Sequence, residues 1–400
     1  MYRLMVTAAV LSGWSAAASA GPEIDPAALD NLVARARATH SNALLVWHHG
    51  KLIREDYFGT RPHGEPLMST TKSIVALAIG TLVDDGKLRS FDQPVSDFYP
   101  EWKQGQKRSI TIRHLLTHTS GLQNEGNTGI EIYPAPDAIK LALAAELSDR
   151  PGTKFSYNNK ATNLLAGIVQ RASGQRMDRY VADHIFRPLG IVDARWVELD
   201  AAGAPYAMSG LAMTAADLLK IGQLMLGNGS FAGKRVLSER TVQAIVSEGD
   251  PGYPGYGLLW WRIARSHVRV VDDDQLAMMR RAGVDAQVVA ALATLKDHPM
   301  ASEEALDAGL KQALGTDWIA KYHAGGAKTK LLKDQWSTDF IGFNTNGYLG
   351  EYLIVLPAAE LIAVRLVDSS DHYNQATDGF SDFLTAVRRL VEPAAPGSAN

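Results

Sequence analysis

The sequence of 400 residues contains no cysteine. This absence excludes a thiol nucleophile, a cysteine-ligated metal and any disulfide, so the fold must be held together by its core alone. Neither sign of charge is in strong excess, because 40 Lys and Arg residues stand against 43 Asp and Glu residues. This balance gives no indication of a nucleic-acid or other polyanionic partner.

Long apolar runs are also missing, since no stretch reaches the roughly 18 uncharged residues expected of a membrane-spanning helix. The N-terminus has a shorter apolar segment, from about Leu4 to Trp14, with Arg3 as the only charge in residues 1–20. It ends in Ala18-Ser19-Ala20, a small-x-small cleavage pattern. We therefore predict a signal peptide over residues 1–20 and a mature chain that is exported to the periplasm or the medium.

The content of 46% hydrophobic and 21% charged residues is typical of a globular protein with a sizeable core. We predict one large domain over residues 21–392 and a disordered tail over 393–400. Within the domain, Asp272-Asp273-Asp274 begins a stretch of helical patterns, which predicts a helical insertion over about 272–335. The insertion is equally compatible with a lid over a substrate cleft and with a peripheral packing module.

Two hairpin patterns predict an antiparallel sheet. The first spans residues 43–58 with His49-Gly50 at its turn, and the second spans residues 343–366. Apolar residues at helical spacing between Phe380 and Leu390 predict a closing helix. The expected fold class is therefore α/β (α+β), an antiparallel sheet with helices laid against it.

The most distinctive stretch is Ser69-Thr70-Thr71-Lys72, followed by an apolar run of about four helical turns. This spacing places the serine hydroxyl and the lysine ammonium on one helix face. A partly desolvated lysine can take the proton of a serine nucleophile, and the helix N-terminus favours developing negative charge. The alternative is a serine N-cap followed by an ordinary exposed lysine, and the tetrapeptide alone does not decide between them.

Tyr157-x-Asn159 follows a Pro-Gly turn. A tyrosine near the Ser/Lys pair could carry protons, and an asparagine side chain can donate to and accept from a substrate amide.

His114 and His118 have the i, i+4 spacing of metal ligands, but no Glu follows His114 as in His-Glu-x-x-His. We favour hydrogen-bonded histidines at a helix end and expect neither a metal nor a cofactor.

Ser69-x-x-Lys72, Tyr157-x-Asn159 and a Gly350 strand element, in this order, resemble the penicillin-binding, β-lactamase-related serine hydrolases. The resemblance implies a β-lactamase/transpeptidase-like fold, with the active site between the sheet and a mostly helical region. It implies that Ser69 is the nucleophile, that Lys72 and Tyr157 transfer protons, and that Asn159 binds the substrate amide. The oxyanion would be held by the N–H groups of Ser69 and Glu351.

The chain departs from this family at the third motif. Tyr348-Leu349-Gly350 stands where a β-lactamase has Lys-Thr-Gly, which removes the cation that receives a substrate carboxylate. Lys328-Thr329-Lys330 does not replace it, because it lacks the glycine and lies in the predicted insertion. The branch that resembles esterases and 6-aminohexanoate-dimer hydrolases fits better, with Tyr348 and Gly350 at the substrate.

We therefore predict an exported serine hydrolase that acts on a small ester, amide or peptide-like substrate. The alternatives are a penicillin-binding acyl receptor, an inert homologue, and a β-lactamase or D-Ala-D-Ala carboxypeptidase. No Gly-x-Ser-x-Gly elbow supports a Ser-His-Asp triad. The sequence does not indicate an oligomeric state.

Overall fold

The computed structural model describes residues 22–247, 249–250, 252–326, 329–368 and 373–392. The predicted signal peptide and the predicted C-terminal tail lie outside these residues. No helix among the described residues is long and apolar enough to cross a membrane.

The strands are numbered in chain order: β1 (Ala43–His48), β2 (Lys51–Asp56), β3 (Glu65–Pro66), β4 (Arg195–Trp196), β5 (Leu211–Met213), β6 (Ser230–Phe231), β7 (Lys234–Arg235), β8 (Trp261–Ala264), β9 (His267–Val270), β10 (Lys333–Trp336), β11 (Phe340–Asn346), β12 (Tyr352–Leu356) and β13 (Leu361–Leu366). The helices are α1 (Pro26–Ala38), α2 (Thr70–Asp84), α3 (Ile112–Leu116), α4 (Thr128–Glu131), α5 (Ala138–Ala144), α6 (Asn159–Thr162), α7 (Leu164–Ser173), α8 (Met177–Val181), α9 (Ala215–Leu226), α10 (Glu239–Ser247), α11 (Asp273–Arg281), α12 (Ala286–Ala293), α13 (Glu303–Leu314), α14 (Trp318–Gly326), α15 (Gln375–Asp378) and α16 (Phe383–Arg388).

A six-stranded antiparallel sheet organises the chain, with the strand order β2-β1-β13-β12-β11-β8. Both predicted hairpins belong to it, because β1 pairs with β2 and β12 pairs with both β11 and β13. Side chains alternate between the two faces of a strand, and nearly all residues of the central strands β12 and β13 are buried, so both faces of the sheet are covered. One face packs against the core that contains α2 and α9, and the other packs against α1 and α16.

Helix α2 lies in the centre of the larger core, and residues 70–82 are all buried. Helix α10 packs closely against α2 at Gly80, because a Cβ at this position would lie only 2.7 Å from Thr241 Cγ2 of α10. The glycine therefore lowers helix propensity but permits tight helix packing.

Helices α11–α14 lie between β9 and β10, which pair with each other as a separate two-stranded ribbon. Their apolar residues form a cluster of their own around Leu292, Met279 and Leu310. The description of this segment as an insertion, and its role as a lid or a packing module, stay predictions.

Candidate active site

Ser69 occupies the N-cap position of α2, yet its side chain makes no capping hydrogen bond. Its Oγ instead accepts a hydrogen bond from Lys72 Nζ at 2.9 Å. The residue before it, Met68, has a positive φ of 45°, a conformation that costs a non-glycine residue free energy and is concentrated at functional sites. The geometry therefore favours the Ser/Lys pair over the simple N-cap.

Lys72 is buried, with 2% of its surface exposed, and its Nζ also donates to the carbonyl oxygen of Met208 at 2.7 Å. Burial disfavours the charged ammonium and lowers the pKa of Lys72 to about 7. A substantial fraction of this side chain is thus a neutral amine at neutral pH, which is the form that can accept a proton.

Tyr157 lies beside this pair, with its ring 5.1 Å from Lys72 Nζ. It stacks on Trp261, with ring centroids 6.3 Å apart, and contacts the ring of His118 at 4.3 Å. Burial raises the pKa of Tyr157 to about 12, although its hydrogen bond with Ser69 acts in the opposite direction. The phenol is therefore protonated at neutral pH and its ring is held by aromatic packing.

The Nδ1 atoms of His114 and His118 each accept a hydrogen bond from a backbone N–H. Nδ1 of His114 accepts from the N–H of Thr111 at 3.2 Å, which completes the capping box of α3. The ring of His118 accepts from Asn158 at 3.1 Å, and burial lowers its pKa well below the usual value. Both rings support local backbone structure, and His118 also forms one wall against Tyr157.

A cavity of about 770 Å³ opens at Ser69. It brings together most of the predicted site residues, because Tyr157, Asn159, Tyr348 and Gly350 line it as well. Lys72 lies behind Ser69 and does not line the cavity. The described residues that complete the lining are uncharged: Met68, Gly126, Asn127, Thr128, Tyr133, Met208, Ser209, Asn346, Gly347, Tyr352, Gly379 and Ser381.

Asn159 begins α6, whose N-cap is the neighbouring Asn158. The Oδ1 atom of Asn159 is buried and has no hydrogen-bond partner among the described residues. A buried acceptor without a partner is costly, so it is suited to receive a donor from a bound molecule.

The third predicted motif is placed differently from the expectation. Residues 347–351, which contain Tyr348-Leu349-Gly350, form the turn between β11 and β12 rather than the start of a strand. Tyr348 is 64% exposed, whereas Leu349 is buried. The strand that meets the start of α2 is β11, since the hydroxyls of Thr345 and Thr70 are 3.0 Å apart.

Glu351 is fully buried and is not among the residues that line the cavity. Its carbonyl oxygen accepts from the N–H of Gly347 at 2.8 Å and from the hydroxyl of Thr70 at 3.3 Å. Burial raises the pKa of its carboxyl to about 8. Glu351 therefore packs behind the cavity wall, and its assignment as an oxyanion donor stays a prediction.

Asn346, at the end of β11, was missed by the sequence reasoning. Along a strand, the N–H groups of successive residues point alternately to the two neighbouring strands. The N–H of Gly347 points toward β12, because it donates to the carbonyl oxygen of Glu351. Asn346 stands opposite Tyr352 in this ladder, so its N–H points away from β12, at the end of the strand that lines the cavity. Knowing where β11 ends would have identified it.

A second group that was missed is a hydrogen-bonded chain that reaches the cavity lining through Tyr133 and Ser209. Tyr133 Oη and Ser209 Oγ are 3.2 Å apart, and Ser209 donates to Glu198 at 3.1 Å. No motif marks these three residues, because they come from separate loops and meet only in the fold.

The family model described as Beta-lactamase matches residues 29–380. Among curated relatives, the chain is 33% identical over 166 residues to the penicillin-binding protein PbpX of Bacillus subtilis, covering 38% of this chain and 41% of the relative. It is 31% identical over 220 residues to esterase EstB of Burkholderia gladioli, covering 44% and 56%. It is 26% identical over 263 residues to the 6-aminohexanoate-dimer hydrolase of Paenarthrobacter ureafaciens, covering 58% and 67%. The chain thus spans about half the length of the first two relatives.

Solved structures give a similar result. The penicillin-binding protein from Bacillus halodurans superimposes with a TM-score of 0.54 at 18% identity, covering 90% of this chain and 99% of the other. A β-lactamase from Mycobacterium bovis superimposes with a TM-score of 0.54 at 22% identity, covering 91% and 100%. At these identities the similarity shows a shared fold and nothing about activity.

Proposed function

Because the chain belongs to the Beta-lactamase family, we propose that it is a serine hydrolase that cleaves an ester or amide bond through an acyl-Ser69 intermediate. The family and the fold confirm the resemblance drawn from the motifs. The observation that carries the proposal is the 2.9 Å contact between Ser69 Oγ and the buried Lys72 Nζ. Relatives named as an esterase and as a 6-aminohexanoate-dimer hydrolase support the bond type.

In acylation, Ser69 Oγ attacks the substrate carbonyl carbon while its proton passes to the neutral Lys72 amine. The tetrahedral intermediate then collapses and breaks the bond to the leaving group. Tyr157 gives its phenolic proton to that group and recovers one from the Lys72 ammonium. In deacylation, water attacks the acyl carbonyl, its proton enters the same relay, and Ser69 Oγ leaves as the hydroxyl.

The negative charge on the carbonyl oxygen would be stabilised by two backbone N–H groups. We assign the first to Ser69, at the positive end of the α2 dipole, and the second to Asn346 in place of Glu351. The support for Asn346 is the direction of its N–H and its place in the lining of the cavity that also contains Ser69.

The lining of the cavity favours an uncharged substrate. Its described lining contains hydroxyl, amide and aromatic groups without a Lys or Arg that could pair with a carboxylate. Asn159 Oδ1 is positioned to accept an amide N–H, so amide substrates would gain an interaction that esters lack. This favours neutral esters and amides over β-lactams and D-Ala-D-Ala peptides, which carry a carboxylate.

The first experiment compares the mature protein and Ser69→Ala on p-nitrophenyl esters, nitrocefin and D-amino-acid amides, with fluorophosphonate labelling in parallel. The proposal expects turnover on esters or amides and loss of both turnover and labelling in the variant. Labelling of Ser69→Ala would contradict it. A burst of product without turnover would identify an acyl receptor instead.

We also propose that the protein is exported after removal of residues 1–20. The support is the sequence pattern of Arg3, the apolar segment and Ala18-Ser19-Ala20. N-terminal sequencing of protein from a periplasmic extract should begin at Gly21, and full-length protein retained in the cytoplasm would contradict export.

A further inference from the structure

A cluster of three potential metal ligands lies close in sequence to the nucleophile but outside the cavity. His63 and Glu65 stand two residues apart at the start of β3, and Glu65 is four residues ahead of Ser69. Asp368 comes two residues after the end of β13. One ligand atom from each residue lies within 4.8 Å of the other two. We propose that His63, Glu65 and Asp368 bind one divalent transition-metal ion.

The His63 ring is oriented for this role. Its Nδ1 is 2.9 Å from the carbonyl oxygen of Arg61, so Nδ1 carries the proton and donates it. The other ring nitrogen, Nε2, faces Glu65, whose Oε1 is 2.9 Å away, and donates to it when the ring is protonated. A metal ion would take the place of that Nε2 proton. A backbone carbonyl that fixes the tautomer in this way is the usual outer partner of a metal-ligating histidine.

Glu65 supplies an independent indication of a missing ligand. It is only 3% exposed, and its Oε2 is buried without a hydrogen-bond partner among the described residues. A ligand atom of Asp368 also lies within 4.8 Å of a ligand atom of Glu65, so two carboxylates face the same point, and a bound cation would pair with both.

The ligand set favours particular metals. One imidazole nitrogen and two carboxylates suit Zn²⁺ or Mn²⁺, whereas Mg²⁺ and Ca²⁺ prefer oxygen ligands alone. His63 and Asp368 are exposed, so an ion can enter from solvent and small side-chain rotations can bring the ligands to bonding distance. Open coordination positions would be filled by water.

A bound ion would join the segment that leads into Ser69 to the end of β13. This strand also carries Arg365, whose Nη1 donates to the carbonyl oxygen of Gly350 at 2.8 Å in the cavity wall. The expected role is therefore to stabilise the framework of the cavity. The site does not depend on the hydrolase chemistry proposed above.

The experiment uses full-length mature protein that has been stripped with a chelator and dialysed. Isothermal titration with ZnCl₂ and with MnCl₂ should show one equivalent bound, and the ion should raise the melting temperature as its concentration rises. Co²⁺ should give a visible absorption band from ligation by His63. The exposed variants His63→Ala and Asp368→Asn should weaken binding at least tenfold, as should Glu65→Gln.

The matched control is His49→Ala. His49 Nδ1 lies 3.2 Å from Glu360 Oε2, so it is also part of a surface histidine–carboxylate pair, but this pair is not part of the three-ligand cluster. The His49→Ala variant should therefore bind the ion as tightly as the wild type does. The proposal is overturned if neither ion binds at one equivalent, or if His63→Ala and Asp368→Asn bind it as tightly as His49→Ala.

Discussion

Replacing Lys72 with Arg should remove the general base while keeping a positive charge. The wild-type amine, with a pKa of about 7, is neutral in about half of the molecules at pH 7. A guanidinium does not lose its proton at accessible pH, so the proton of Ser69 has no acceptor at this position. Loss of a positioned general base typically lowers the rate by about 10²–10⁴-fold, and we expect kcat/KM to fall by that factor.

The same pKa fixes the pH profile of the wild type. About one tenth of Lys72 is neutral at pH 6 and about nine tenths at pH 8, so kcat/KM should rise about tenfold between them and then level off. The assay is pH-stat titration of an ester whose alcohol does not ionise between pH 5 and 9. Lys160→Arg is the control, because Lys160 is also buried but is paired with Glu131.

Two results would refute the role of Lys72. One is a Lys72→Arg variant that keeps kcat/KM within tenfold of the wild type. The other is a wild-type profile that is flat between pH 6 and 8, which would mean that proton transfer to this amine does not limit acylation.

The remaining predictions concern stability and binding. Lys72→Met should abolish turnover yet raise the free energy of unfolding by about 1–3 kcal/mol at pH 7, measured by chemical denaturation. The reason is that burial lowers the pKa of Lys72 in the folded wild type, so the folded protein holds fewer protons than the unfolded chain between pH 7 and 10.5. The wild type therefore becomes more stable as the pH rises, and the gain in the variant should shrink toward pH 10.5. Gly350→Ala should lower the free energy of unfolding by about 2–4 kcal/mol, since φ is +94° and a Cβ would lie 2.3 Å from Arg365 Nη1. Asn346→Pro should lower kcat by about 10²–10³-fold relative to Asn346→Ala, which keeps the N–H, and equal rates would contradict the assigned oxyanion donor. Asn159→Ala should lower kcat/KM about tenfold on an amide and less on the matching ester, and equal losses would argue against the amide contact.

The parts of the site that depend on local sequence could be predicted. Ser69 and Lys72 share a helix face because of their spacing, and the apolar run after them specifies a buried helix. The hairpins of the sheet also follow from short apolar runs, and His49-Gly50 marks the turn of the first. These features need no knowledge of which elements meet in space.

The position of the third motif could not be obtained in the same way. Residues 343–356 have glycines near their centre, and the sequence pattern does not say where β11 stops and the turn begins. A displacement of a few residues moves the predicted donor from Asn346 to Glu351. The sequence also could not predict the contacts of Lys72 with the Met208 carbonyl and of Tyr157 with the Trp261 ring, because these groups reach the site only through tertiary packing.

The Ser-x-x-Lys pattern gains its chemical meaning from the residues that follow it. An exposed lysine three residues after an N-cap serine would keep a pKa near 10.4 and would be charged at neutral pH. In this chain, the apolar run over residues 73–82 places α2 in the core, where residues 70–82 are all buried, and desolvation lowers the pKa of Lys72 so that its amine can act as a base. Burial also disfavours the folded state, so the apolar helix that stabilises the fold offsets the cost of the lysine within it. The catalytic property proposed for Lys72 is therefore encoded by the apolar run as much as by the tetrapeptide.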